Sequence, residues 1–240
     1  MSVEKDYYMR AAPLISAVLN LRYERHVTGE ENIPQVAAMY AINHYRIEDS
    51  LLVASEVTKQ TGTPLRFGAK SEYFEGGGLD DHGKLGRSVK WFMENTHQIS
   101  VERESNPRSF INLKNAAGQA FSRGDSVGLH PEGTRSKDGR LNKFKSGVAR
   151  IAMAFEVPIV PVGLVYHPPD HRFGRTLVEM NFGEPMMFED YDTFPYKLLS
   201  VAKRAEHVTN VLERRVADLS GQERSHKFAV LPKHDKIIPR

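Results

Sequence analysis

His44 and Asp49 stand five positions apart in Asn43-His44-Tyr45-Arg46-Ile47-Glu48-Asp49, a pairing of residue types suited to proton abstraction. A carboxylate that accepts a hydrogen bond from one imidazole nitrogen fixes the tautomer. It also stabilises the imidazolium that forms when the other nitrogen takes a substrate proton. On a continuous helix five positions separate two side chains by about 140°, so His44 must precede a helix starting near Asp49 if the two are to meet. The same residues also suit a plainer role, in which Asn43 or Asp49 caps the helix and His44 packs beside it. A second block, His130-Pro131-Glu132-Gly133-Thr134-Arg135-Ser136, combines a glycine, two hydroxyls and an arginine in a turn that suits an oxyanion. Arg135 brings the guanidinium fork that holds phosphate through two contacts, although Glu132 and Arg135 would also pair across such a turn. Together the blocks point to a transfer reaction on a phosphorylated substrate.

Both blocks need strand ends to present them. His44 follows the apolar stretch 37–42 and precedes a helix expected from Glu48 to Val57, and Pro131 to Ser136 follows a strand expected over 126–130. Further strands are expected near 24–28, 36–42, 65–69, 98–102 and 158–165, with helical segments between most of them. This order predicts an α/β fold in which a largely parallel central sheet is flanked by helices, with ligands bound at the carboxyl ends of the strands. The clearest helix spans 107–123, where Pro107 suits the first turn, Phe110, Leu113, Ala117, Ala120 and Phe121 recur at helical spacing, and Gly124 suits the stop. Another runs over 196–218. An amphipathic N-terminal helix over 7–22 places Leu14, Ile15, Val18, Leu19 and Leu21 on a broad stripe between Arg10 and Arg22, fit to dock on the core or to lie on a membrane surface. One domain is expected over 1–240, with a motif-bearing core over 25–185 and an irregular tail over 219–240.

Composition removes several chemistries. The chain has 240 residues, 40% of them hydrophobic, and no cysteine, which excludes disulfides, thiolate catalysis and cysteine zinc sites. The ten histidines include no H-E-x-x-H, and no carboxylate cluster has metal-ligand spacing, so neither a metal nor a cofactor is expected. A formal charge of +3, with basic residues dispersed among acidic ones, argues against a nucleic-acid partner. The longest apolar run, Val157 to Tyr166, is broken by Pro158 and Pro161 and falls short of the roughly 20 residues that span a bilayer. With no signal-peptide pattern, a cytoplasmic protein peripheral on the inner membrane face is expected.

Two motifs compete. Gly124-Asp125-Ser126-Val127-Gly128 matches the G-x-S-x-G of serine hydrolases, but that elbow turns from strand to helix, whereas here a helix ends and a strand begins. Gly78 to Leu85 approaches a phosphate loop, but Leu85 stands where a Ser or Thr is required and two aspartates would repel phosphate. A surface loop over 75–84 is the better reading.

With these set aside, the chain resembles the glycerolipid acyltransferases, which carry four ordered blocks. The first is Asn43, His44 and Asp49; the third is Pro131 to Ser136; the fourth is Val157-Pro158-Ile159-Val160-Pro161-Val162. The second is Ile99 to Arg103, with Asn95, Thr96 and His97 where a glycine is usual. Ala69-Lys70-Ser71-Glu72 and Lys145-Ser146-Gly147 match further family segments. The resemblance implies transfer of a fatty acyl group from acyl-CoA or an acyl carrier protein to the free hydroxyl of a lysophospholipid acceptor such as lysophosphatidic acid. It implies His44 as general base and Asp49 as its orienting partner, with Arg103, Glu132, Gly133, Thr134 and Arg135 shaping the acceptor site and Lys145 a further phosphate ligand. Two positions depart from the family: Arg46, expected to point to solvent, replaces a small serine, and His130 replaces an apolar aromatic. A thioester hydrolase and a catalytically silent phospholipid-binding protein are the competing functions.

Overall fold

The strand β2 (Met39–Ile42) sets the layering. All four residues are buried, Met39 and Ala41 in one hydrophobic cluster and Tyr40 and Ile42 in another, as in a strand covered on both faces. The structure, a computed structural model, describes residues 7–76, 84–102, 107–169, 174–187 and 198–229. The other strands described are β1 (Tyr23–Thr28), β3 (Leu65–Lys70), β4 (Ile99–Val101), β5 (Ser126–Leu129), β6 (Ile159–His167) and β7 (Thr176–Phe182). They form a sheet ordered β1-β7-β6-β2-β5-β3-β4. From β6 through β4 every pairing is parallel; β7 pairs antiparallel to β6, and β1 lies parallel to β7 at the edge. The largely parallel sheet is therefore as expected, and β7 is an addition to the six strands read from the sequence. Its residues alternate, with Val178, Met180 and Phe182 buried, and they find their partner by pairing back on β6.

Among the described residues six α-helices flank the sheet: α1 (Tyr8–Arg22), α2 (Asp49–Thr61), α3 (Lys84–Asn95), α4 (Pro107–Ser122), α5 (Gly147–Phe155) and α6 (Val201–Ser220). Side chains of α1 and α2 share the cluster of Tyr40 and Ile42, and those of α4, α5 and α6 share that of Met39 and Ala41. The expected stripe of α1 is divided. Tyr8, Ala12, Ile15 and Leu19, at helical spacing, pack inward, while Leu14 is 70% exposed, Val18 58% and Leu21 80%. Polar clasps complete its seating: the Arg25 guanidinium donates to Ser16 (3.0 Å) and Asn20 (2.5 Å) on α1 and to Ser55 (2.6 Å) on α2. The Tyr8 ring lies over buried Arg66, which pairs with Asp125 at 3.0 Å and donates to the Thr96 carbonyl at 2.6 Å.

Beyond α6 the described residues 221–229, the start of the irregular tail expected over 219–240, are tied to the core. Leu141 and Arg224 form a β-bridge, the Leu141 and Lys143 amides donate to the Glu223 and Lys227 carbonyls, and Ser225 donates back to Leu141. The backbone polar groups of residues 141–143 thereby gain partners. The end of α6 is fixed by close contact, since a Cβ at Gly163 of β6 would lie 2.4 Å from the Leu219 carbonyl carbon. Gly163→Ala should cost about 1–3 kcal/mol of folding stability by overpacking, measured as a lower urea midpoint at unchanged slope. An unshifted midpoint would mean that α6 is not seated as described.

Candidate active site

Asn43 and His44 leave the carboxyl end of β2, and Asp49 opens α2, so the five-residue spacing is crossed by a turn. Asp49 is fully buried. Its Oδ2 accepts from His44 Nδ1 at 2.9 Å and from the amides of Tyr45 (2.6 Å) and Arg46 (2.8 Å). Its Oδ1 accepts from the Tyr166 hydroxyl near the end of β6. Burial raises the Asp49 carboxyl above its ordinary value, opposed only in part by the neighbouring His130 and by donation from Tyr166 and the two amides. With four donors on two oxygens, the group is held as a carboxylate, because a carboxyl proton would find no acceptor there. Tyr166 is raised well above the ordinary phenol value, chiefly by burial and then by the Asp49 charge, so it remains a donor. Nδ1 of His44 carries the proton, which puts the ring's lone pair on Nε2.

The second block is tied to the first through its backbone. Glu132, fully buried, accepts the His44 amide (2.8 Å) on one oxygen and the Asn142 amide and side chain (both 2.9 Å) on the other. Burial pushes it up to about 7 against these donors. In return Ser136 donates its amide to the His44 carbonyl at 2.8 Å. Glu132 therefore sets the His44 backbone from behind and does not pair with Arg135. Asn43 fixes the same loop from the other side: its amide donates to the Leu164 carbonyl (2.9 Å) and Gln222 (2.8 Å) and accepts from the Leu164 amide (2.8 Å). Gln222, in the segment expected to be a tail, donates onward to the Gly139 carbonyl at 2.9 Å.

His130 lies flat against His44, with ring centroids 3.8 Å apart and planes 12° from parallel. Phe67 stacks on its other side at 5.8 Å. Nδ1 of His130 is 3.1 and 3.2 Å from the Ile42 and Asn43 carbonyls, so it carries a proton, and Nε2 accepts from the Ser50 hydroxyl at 3.0 Å. Burial, then the adjacent His44, lowers His130 to about 3, which keeps the ring neutral. It supplies the flat surface that an apolar aromatic would, with added hydrogen bonds. Arg46 does not point to solvent: its guanidinium lies 4.4 Å from the centroid of Tyr166, a cation on the face of the ring that anchors Asp49.

Two cavities meet at this point. The larger, about 860 Å³, runs between α1, α2, β3 and α3, from apolar Ala12, Ile15 and Leu51 to His44, and Thr134, Arg135, Ser136 and Lys70 also line it. The smaller, about 620 Å³, lies between α4 and α5 and is lined by Lys145 and Arg150. Gly133 borders both, and its φ of +78° calls for glycine. Of the expected residues, His44, Gly133, Thr134 and Arg135 border the larger cavity and Lys145 the smaller, while Asp49 and Glu132 stand behind. Arg103 lies outside the described residues, as does the phosphate-like loop through 77–83. Ser126 of the G-x-S-x-G motif is buried at the start of β5, the opposite end from the site, and accepts the Ala38 amide at 3.1 Å.

Tyr166, Ser50, Asn142 and Gln222 were not foreseen. Each acts through a contact made across long sequence separation or through a loop whose course no local pattern dictates. Tyr166 alone had a signal, as a polar-tipped aromatic near the end of the fourth block.

A His-carboxylate pair at the carboxyl ends of parallel strands, opening on a cavity with a largely apolar lining, defines the site of this α/β protein. The family model described as Acyltransferase matches residues 24–165, and the chain belongs to that family. It is 30% identical over 145 residues, 60% of its length, to the chloroplastic 1-acyl-sn-glycerol-3-phosphate acyltransferases of Brassica napus and Arabidopsis thaliana. The match spans only 38% and 36% of those proteins. The Escherichia coli 1-acyl-sn-glycerol-3-phosphate acyltransferase is 24% identical, with 88% of this chain and 77% of that protein covered. The 1-acyl-sn-glycerophosphate (LPA) acyltransferase PlsC of Thermotoga maritima shares the fold, with a TM-score of 0.59 at 22% identity, covering 88% of this chain and 78% of that one.

The neutral His130 gives a pH signature. Between its ordinary value of 6.5 and about 3, the unfolded chain binds a proton that the folded chain refuses, so this group makes stability fall as pH falls through that window. Glu132, raised from 4.5 to about 7, acts in the opposite sense, gaining its proton more readily when folded. The two partly cancel in the native chain, and the difference from His130→Phe isolates the first. From pH 6.5 to 4.5 the native protein should lose up to about 1.4 kcal/mol per pH unit relative to His130→Phe in urea unfolding. Parallel pH profiles would show that His130 is not buried as a neutral ring.

Proposed function

We propose that this protein transfers a fatty acyl group from acyl-CoA or an acyl carrier protein to the free hydroxyl of a lysophosphatidic acid-like glycerolipid, giving phosphatidic acid. The observation that carries the reading is the junction of the His44–Asp49 pair with a cavity of about 860 Å³ whose far wall is apolar and whose rim bears Thr134, Arg135 and Lys137. Its size falls within the range of roughly 300–1,000 Å³ typical of pockets that enclose a ligand. His44 Nε2 takes the acceptor's hydroxyl proton as the hydroxyl oxygen attacks the thioester carbonyl. Asp49 stabilises the imidazolium. The tetrahedral oxyanion collapses with loss of the thiolate, which takes the proton back from His44, leaving an ester, a thiol and the original base. No enzyme nucleophile takes part. Arg135 makes no ion pair among the described residues, and its fork suits the acceptor phosphate.

Such a lipid must be reached from a bilayer. Among the described residues no helix is long and apolar enough to cross a membrane. α1 supplies the contact in this reading: its inner face lines the cavity through Tyr8, Ala11, Ala12 and Ile15, and its outer face presents Leu14, Val18 and Leu21 beside exposed Arg10. A peripheral helix of this kind buries apolar side chains in the headgroup region while cations meet anionic lipid.

His44→Ala should lower the turnover of acyl transfer to lysophosphatidic acid by about 10² to 10⁴; a folded variant with undiminished transfer would remove the general base from the mechanism. Arg135→Ala should raise the acceptor KM more than it lowers kcat, as loss of uniform binding does. A pure kcat effect would instead move Arg135 to transition-state stabilisation. Thiol release from acyl-CoA should require the acceptor, and release at the same rate without it would mark a hydrolase.

A further inference from the structure

We propose that the smaller cavity, between α4 and α5, holds the phosphate-bearing phosphopantetheine arm of the acyl donor; the inference rests on the acyl-transfer reading above. A thioester carbon sends its acyl chain and its sulfur arm in different directions, so a donor bound with its carbonyl at His44 needs two channels. The two cavities provide them. Val101, Leu129, His130 and Gly133 line both, and His130 is the ring stacked on the catalytic histidine. The carbonyl at this shared wall would direct its acyl chain into the apolar cavity and its thiol arm into the other.

The chemistry of the smaller cavity suits that arm. Arg150 lies over the Phe110 ring at 3.9 Å, which holds the guanidinium plane and leaves its N–H edge open. Neither Arg150 nor Lys145 pairs with a carboxylate among the described residues. The acidic residue on the described lining, Glu102, is engaged by the Ser109 hydroxyl at 2.8 Å. The first turn of α5 borders the same space through Gly147 and Val148, and Ser146 makes no side-chain cap on it. An anion there meets two cations and the positive end of a helix. The acceptor phosphate has a separate place on the rim of the larger cavity at Arg135 and Lys137, on the other side of Gly133.

The test is equilibrium binding by calorimetry on full-length His44→Ala protein, which separates binding from turnover. Free CoA should bind, and adding Arg150→Glu should weaken it about tenfold or more, the worth of one charge-assisted hydrogen bond. Pantetheine, which lacks phosphate, and lysophosphatidic acid should each change less than about twofold. Arg150→Lys should retain part of the CoA affinity, and an unchanged melting temperature of Arg150→Glu, whose side chain is exposed, checks its fold. A matching loss with holo-acyl carrier protein identifies the phosphate of the arm shared by both donors and supports the site, whereas a loss confined to CoA places its nucleotide there and overturns the assignment to the arm. Unchanged CoA affinity, a loss on the lysophosphatidic acid side alone, or a native protein that binds neither donor overturns it. If CoA binding depends on Arg150 while the native protein transfers no acyl group, the acyl-transfer reading fails and the anion site stands.

Discussion

The buried carboxylate of Asp49 is the constraint on which the site depends. A carboxylate taken fully out of water is costly unless its lone pairs are met by donors, and here four meet it, from His44, Tyr45, Arg46 and Tyr166. Two are backbone amides of the turn between β2 and α2, so satisfying the charge also fixes the turn that carries His44. The third is the His44 imidazole, fixed in one tautomer. The fourth comes from β6, which ties the turn to the neighbouring strand and couples sheet assembly to the charge state of the site.

A second buried carboxylate repeats the logic one loop away. Glu132 receives the His44 amide on one oxygen and two donors from Asn142 on the other. Because Asp49 holds the side chain of His44 and Glu132 holds its backbone, the imidazole has little freedom, and the stacked His130 removes what remains. Preorganisation of this kind keeps a catalytic group in place without reorganisation during reaction. Arg46 and His130, the two departures from the family pattern, both act inside this frame: one caps the Tyr166 ring and the other supports His44.

The sheet was legible because parallel strands buried on both faces leave short continuous apolar runs, as in Met39–Ile42 and the first part of β6. β7 was harder to see because its alternating residues give only every second position to the core, and it pairs between β6 and β1, strands distant in sequence that must already be in place. The stripe on α1 shows a different limit. Leu14, Ile15, Val18, Leu19 and Leu21 are all apolar, and periodicity shows a face without saying which edge of it meets the core. Tyr8, Ala12, Ile15 and Leu19 turned inward because Arg66 and Arg25 fix the rotation of the helix through Tyr8, Ser16 and Asn20.

From residue types and their order alone came the candidate pairing of His44 with Asp49, the family blocks in sequence, and the α/β alternation that brings those blocks to strand ends. The alternation follows from local apolar patterning, and the blocks from their resemblance to the acyltransferase family; the His-x4-Asp spacing is compatible with a contact only if a turn separates the two. Only the tertiary structure decided that Glu132 stands behind the site, that Tyr166 and Gln222 belong to its frame, and that Gly133 divides an apolar cavity from a basic one. Those outcomes depend on which buried donors and acceptors lie within reach once β2, β5 and β6 are side by side, a matter of three-dimensional pairing that no one-dimensional pattern encodes.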